Sequence, residues 1–177
     1  SEVHIIAISD SQARVQALLS GQIDMLRVID YKQKPIFEGN SKFKHHVIPT
    51  GNWRGMVMRT DLEPFKDARV RKAVRMAVDR QALADLVTGG AAEVTCDHPV
   101  MKSDQYRADL SCPQDIEGAK KLLADAGYPD GIEFTVYPSS LEPTWTPIAE
   151  VVQQQVAAAG IKAVSYTHLR AHETLDN

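Results

Sequence analysis

The chain has 177 residues, 44% hydrophobic and 24% charged, with 20 Lys and Arg against 23 Asp and Glu for a formal net charge of −3. This balance is ordinary for a globular protein; it excludes disorder, collagen-like repeats and coiled coil, and supplies no overall basic field for nucleic acid or an anionic membrane surface. No stretch approaches the ~18 consecutive apolar residues that a bilayer-spanning helix requires.

The chain opens on Ser1-Glu2-Val3-His4-Ile5-Ile6, with no initiator Met and no signal-peptide pattern, and so reads as an internal piece of a longer protein. Residues 3–8 are nearly all apolar, as in a strand covered on both faces. Asp10 or Ser11 is placed to cap a helix whose Val15, Leu18 and Leu19 share a face, and Gly21 to end it. Residues 23–29 predict a second strand, completing a short β-α-β unit on a sheet continued elsewhere. Residues 31–37 are too short to assign. Residues 43–48 and 53–60 predict two extended segments joined at the turn cluster Pro49-Thr50-Gly51-Asn52.

The pattern changes at Glu63-Pro64-Phe65-Lys66-Asp67. Pro64 ends the extended run, Asp67 caps a helix from Ala68, and Val70, Ala73, Val74, Ala77 and Val78 follow the spacing of a buried stripe. Asp79 is a second cap, restarting a helix through Leu83, Leu86 and Val87 to Gly89-Gly90. Residues 91–113 have no periodicity and predict a long loop, the kind that carries function or a covalent tie. Residues 115–126 predict a helix with Ala119, Leu122, Leu123 and Ala126 inward and Gly127 at its end. A strand follows at 132–137, then a helix opened by Thr146-Pro147 with Ile148, Val151, Val152, Val156 and Ala159 on its apolar face. Gly160 stops it before a last strand at 161–164, which implies a parallel pair with a right-handed crossover. From Ser165 the string Ser165-Tyr166-Thr167-His168-Leu169-Arg170-Ala171-His172-Glu173-Thr174 interrupts this pattern. It resembles the translated read-through of a sequencing-library adapter, so residues 165–177 are set apart as non-native; a native polar terminus is the other reading.

Three separated elements carry a resemblance. Leu18-Leu19-Ser20-Gly21-Gln22-Ile23-Asp24 is similar to the LLSGEID element of family 5 extracellular solute-binding proteins, the peptide-, opine- and nickel-type components of bacterial ABC importers. Pro64-Phe65-Lys66-Asp67-Ala68-Arg69-Val70-Arg71-Lys72-Ala73, continued by Ala77-Val78-Asp79-Arg80, resembles that family's PFDDVRVRQA signature. The stretch from Ala119 to Gly131 resembles AKALLAEAGYPDG, and Gly160-Ile161-Lys162 resembles the strand entry that follows it.

The resemblance implies an α/β fold: part of a two-lobed periplasmic-binding-protein fold (type II, cluster C-like), a mixed sheet with flanking helices and a cleft that closes by hinge motion. Residues 1–60 would belong to the lobe holding the chain ends plus the interlobe strand, and residues 61–164 would start the second large lobe. The implied function is a solute receptor for an ABC importer, binding an oligopeptide or similar polar solute and delivering it to a membrane permease. It would act as a monomer in the periplasm, or outside the cell on a membrane anchor, with no cofactor and no nucleic acid.

The signature is mainly structural on physical grounds: Asp67 caps, the apolar stripe packs, and Arg69 and Arg71 pair with carboxylates or carbonyls, a docking surface for the transporter being the alternative. Ligand candidates lie on the interlobe strand: Trp53 as an aromatic platform, Arg54, Met56, and Arg59 where the family commonly has Asn. A guanidinium at 59 would favour a carboxylate. Alternation puts Trp53, Val57 and Arg59 on one face and Arg54, Met56 and Met58 on the other, and only one face can meet the cleft. Core packing of Trp53 and a structural ion pair for Arg59 are equally open. Asp97 and His98 could border the ligand.

Cys96 and Cys112 are an even pair in a protein expected outside the cytoplasm, which favours a disulfide. The alternative, a metal held by Cys96, Asp97, His98 and Cys112, lacks paired zinc-ligand spacing, and the adjacent His45-His46 would point to opposite faces. No nucleophile elbow, Walker loop, dinucleotide fingerprint or H-E-x-x-H is present, so no enzyme is expected. A sensory receptor on the same fold and a metal- or thiol-dependent enzyme using the Cys96/His98/Cys112 loop remain as alternatives. Permease and ATPase neighbours in the genome would separate the first, and a thiol assay the second.

Overall fold

The computed structural model describes residues 2–48, 50–139 and 142–166, and the chain divides into two compact units, Ser1–Val47 and Ile48–Asn177. Pro49 of the expected turn and residues 167–177 of the tail lie outside the described residues.

In the first unit, helix α1 (Ser11–Leu19) starts where Asp10 Oδ1 accepts from the Ala13 N–H at 2.7 Å. That bond satisfies one of the donors every helix leaves free at its start. Val15 and Ala17 bury its inner face. A 3₁₀ turn (Tyr31–Gln33) runs into the short helix α2 (Lys34–Phe37). Asp30 caps the turn, and the buried Gln33 side chain both accepts from the Asp30 N–H (3.4 Å) and donates to Ser11 Oγ (3.0 Å). Phe37 meets Phe43 edge-on at 5.4 Å.

The strands expected at 3–8 and 23–29 do not form, and with them the first β-α-β unit falls away. Among the described residues the paired strands are two, both in the second unit. Ile5 is 94% exposed and Met25 80%. An apolar run becomes a strand only when a neighbour takes its backbone groups and something covers its faces. Composition alone supplies neither.

The second unit follows the expected helices closely. Helix α3 (Ala68–Met76) is capped by Asp67, whose Oδ1 accepts from the Arg69 N–H at 2.7 Å. Asp79 Oδ1 takes the Ala82 N–H (2.9 Å) at the start of α4 (Arg80–Thr88), and Asp115 Oδ1 the Gly118 N–H (2.7 Å) at α5 (Ile116–Asp125). Strands β1 (Ile132–Val136) and β2 (Ile161–Ser165) pair in parallel, Ile132 opposite Ile161 and Phe134 opposite Ala163. Glu133 and Lys162, also opposite, form an exposed ion pair at 2.9 Å.

Helix α6 (Trp145–Val156) makes the crossover; it begins ahead of Pro147, which sits in the first turn where no N–H is needed. Gly131 accepts φ 94° and lies against Gly160, so close that any Cβ would strike the Gly160 carbonyl oxygen. Val70, Ala73, Val74, Ala77, Leu123, Val156 and Ile161 form the centre of the core, with Phe65 edge-on to Phe134 at 5.0 Å. Leu86, expected on the inner stripe of α4, is 71% exposed: Leu83 and Val87 take the inward arc and Leu86 lies off it.

The 91–113 segment is a loop, as its lack of periodicity predicts. Cys96 and Cys112 are joined across it, with their Cα atoms 5.5 Å apart. Arg107 Nη2 donates to the Thr95 carbonyl (2.9 Å), and the loop's far end is tied to α3 by Asp115 N–H to Met76 O (2.8 Å) and Gln114 Nε2 to Ala77 O (3.0 Å).

Candidate functional site

Residues 53–59 make no ladder bonds and the chain turns at 60–61, so side chains hold the segment in place. Alternation sorts them as the period of 2 requires. Met56 and Met58 turn inward and pack against the core. Trp53 (58% exposed), Val57 (90%) and Arg59 face solvent. The open face is therefore that of Trp53 and Arg59, while Met56 is half-buried against the core.

Arg54 departs from its inward neighbours. Its Nη2 reaches Glu142 Oε2 at 2.9 Å, and both side chains are partly covered. Glu142 precedes α6 by three residues, in the connection that leaves the carboxyl end of β1. This ion pair brings Trp53 and Arg54 to the carboxyl end of the parallel pair, the place where open α/β sheets bind ligands. Trp145 opens α6 beside it, its N–H donating to the Glu142 carbonyl at 3.2 Å, and Tyr137 follows β1 and is exposed. The site's chemistry is thus aromatic surface flanked by one cation and one anion. Two shallow hollows elsewhere lie against Gly160–Lys162 and Tyr128–Gly131, by the amino ends of the strands.

Arg59 is engaged locally. Its Nε and Nη2 donate to Asp61 Oδ1 (2.8 Å) and Oδ2 (2.6 Å), a bidentate pair two residues apart. The hydrogen bond from Arg59 is the main cause that lowers the Asp61 carboxyl to about 2. A ligand carboxylate would have to compete with Asp61 for this guanidinium.

Asp97 and His98 form a separate cluster. Asp97 Oδ2 accepts from Arg75 Nε (2.7 Å) and Arg80 Nη2 (2.8 Å), which ties the loop to α3 and α4. Cys96 and Asp97 take φ 52° and 63°, a left-handed pair seldom adopted by non-glycine residues. His98 Nδ1 accepts from the Val100 N–H at 3.2 Å. Both sulfurs of the loop lie in the disulfide, so neither is a free thiol or thiolate ligand.

Glu142 and Trp145 were not identified in sequence. The signal lay in topology: once 132–137 and 161–164 are read as parallel strands, the connection after the first is a candidate by position. Nothing local pairs Arg54 with a residue 88 positions away.

Solved structures similar to this chain include two-lobed periplasmic binding proteins. NikZ from Campylobacter jejuni, crystallised with Ni(L-His), superposes with a TM-score of 0.80 at 22% identity, over 94% of this chain and 36% of NikZ. The periplasmic binding protein DppA from Helicobacter pylori, associated with an ABC transporter and crystallised with the peptide STSA, gives 0.71 at 23% identity over 91% and 31%. These likenesses define the fold class, a periplasmic-binding-protein architecture of mixed helix and sheet. Among curated proteins, the glutathione-binding protein GsiB of Salmonella choleraesuis (strain SC-B67) is 31% identical over 157 residues, 88% of this chain and 30% of GsiB. The model of bacterial extracellular solute-binding proteins, family 5, matches residues 1–166. The chain belongs to that family, which is one of binding proteins and not of enzymes. It spans about a third of the length of the relatives it matches.

Proposed function

We propose that the chain is part of a solute receptor that serves an ABC importer, binding an oligopeptide or similarly sized polar solute and passing it to a membrane permease. The receptor works as a monomer on the outer side of the inner membrane and needs no cofactor. Within the described residues no helix is long and apolar enough to cross a membrane. One observation carries the reading: the Arg54–Glu142 pair sets Trp53 and Arg54 at the carboxyl end of the parallel strands. There Trp53 supplies apolar contact, and Arg54 and Glu142 supply opposite charges suited to a solute with both an acidic and a basic group. Met56 supports the segment from beneath. Asp97 and His98 shape the loop, and Arg59 contributes the donors that Asp61 leaves free. The mechanism is conformational: the solute shifts the receptor toward its closed state only by as much as it binds that state better.

The test is calorimetric titration of the full chain with glutathione, a panel of dipeptides and the nickel–histidine complex. Binding of at least one peptide-like probe, weakened about tenfold (about 1.4 kcal/mol) in Arg54→Ala, is expected. Peptide binding unaffected by both Trp53→Ala and Arg54→Ala would move the site elsewhere.

A further inference from the structure

The Trp53 indole folds back over its own chain. A Cβ built at Gly55 would lie 2.5 Å from Trp53 Cζ3, 3.1 Å from Cε3 and 3.7 Å from Cη2, all atoms of the six-membered ring. That ring therefore rests on the bare backbone of Gly55. Trp53 is nonetheless 58% exposed, so the rest of the indole is open to solvent. Gly55 is not among the glycines with positive φ, and any residue can adopt its backbone. The room the ring occupies is what the glycine provides. On either side the segment is pinned, by Arg54 to Glu142 and by Met56 against the core, so a clash at position 55 would displace the ring rather than the backbone.

We propose that Gly55 is a positioning residue that seats the Trp53 indole as a one-sided stacking platform for a planar or apolar group of the bound solute. This rests on the solute-binding reading above and extends it: the solute presents a flat or aliphatic face to Trp53 while its polar groups meet Arg54 and Glu142. Stacking on one indole face changes affinity by about three- to tenfold.

The seating is measured without ligand. The chain has two tryptophans, so Trp145→Phe isolates Trp53 as the emitter. Adding Gly55→Ala should red-shift its emission and raise its quenching by acrylamide, with the far-UV spectrum and urea midpoint unchanged; identical emission and quenching would overturn the inference. The platform is measured by titrating the otherwise unaltered chain with alanyl-phenylalanine and alanyl-glycine. The chain should prefer alanyl-phenylalanine, Gly55→Ala should lose that preference three- to tenfold, and Trp53→Phe should keep part of it. In a Trp53→Ala background, Gly55→Ala should do nothing further. A further loss there would mean that Gly55 acts by another route, and would overturn the proposal. Failure of the functional reading looks different: Trp53→Ala leaves both titrations unchanged, or neither dipeptide binds, and the stacking role falls with it. If Trp53→Ala weakens binding while Gly55→Ala does not, only the positioning role is refuted.

Discussion

Replacing both bridge cysteines, Cys96→Ser with Cys112→Ser, tests what holds the 91–113 loop to the second unit. The bridge spans a sequence separation of 16. Closing a loop of that length removes roughly 10 cal/mol/K of entropy from the unfolded chain, or about 3 kcal/mol at 25 °C. The ties that remain are polar and only partly covered: Asp97 to Arg75 and Arg80, the Asp115 N–H to the Met76 carbonyl and Gln114 to the Ala77 carbonyl, with Arg107 to the Thr95 carbonyl bracing the loop internally. Each contributes at most about 1 kcal/mol, enough to keep the loop in place but not to replace the covalent constraint. The folded state should therefore survive and the second unit should lose about 3 kcal/mol. With a urea dependence of about 2 kcal/mol/M, the midpoint falls by about 1.5 M. Trp53 and Trp145 both lie in that unit, so their emission follows its unfolding. The oxidised chain, the chain reduced with a phosphine and the double serine variant would be compared, with thiol titration before and after reduction. An unchanged midpoint with the bridge shown to be open would refute the loop-entropy reasoning. Free thiols in the denatured, unreduced chain would refute the pairing itself.

Three further outcomes follow from the same geometry. Leu123→Ala, at a side chain 1% exposed in the α3–α5 core, should cost about 2–5 kcal/mol, read as a lower urea midpoint with unchanged far-UV signal after refolding. Asp79→Ala removes the bond to the Ala82 N–H and should cost about 1 kcal/mol, while Asp79→Ser should recover most of it. Asp61 and Asp67 both titrate at about 2, lowered from 3.8 mainly by hydrogen bonds from Arg59 and Arg69. Their folded values lie below the unfolded ones, so their stabilisation is complete above about pH 4 and is lost as pH falls toward 2. Urea midpoints measured from pH 5 to pH 2 should fall less steeply in Asp67→Asn than in the parent chain.

The parts of the fold legible in sequence are those fixed within a few residues. Asp10, Asp67 and Asp79 cap helices as expected, because a carboxylate two or three residues ahead of a free N–H needs no distant partner, and Asp115, read as the first helical residue, is the cap of the next one. The stripe from Val70 to Val78 is buried as its spacing dictates. The parallel pair follows from strand, helix and strand on short connections. Residues 3–8 and 23–29 show the limit: an apolar run signals that cover is wanted, and the ladder that would make it a strand depends on another segment. At the candidate site, Trp53 and Arg54 were legible as residue types and Glu142 was not. Asp61 could have been read beside Arg59, since residues two apart on an extended chain share a face.

How the 53–60 segment is held decides what kind of selectivity it can exert. With no ladder to fix it, its position depends on Met56 and Met58 below and on the Arg54–Glu142 pair above. The methionines contribute apolar burial without direction, and the ion pair contributes direction with little energy, because both partners keep water contact. Arg59, the residue whose charge most suggests an acidic ligand, is already met by Asp61 on two of its donors. An incoming carboxylate would gain less there than at an unpaired guanidinium, since Asp61 already neutralises the charge and leaves only the remaining donors to offer. Charge alone is therefore a weak discriminator at this face. The group left open to a solute is the Trp53 indole, whose contact energy scales with the area it covers and whose orientation the bare Gly55 backbone sets. Selection at this end of the parallel strands should thus follow the shape and apolar area of the solute, with Arg54 and Glu142 fixing its direction.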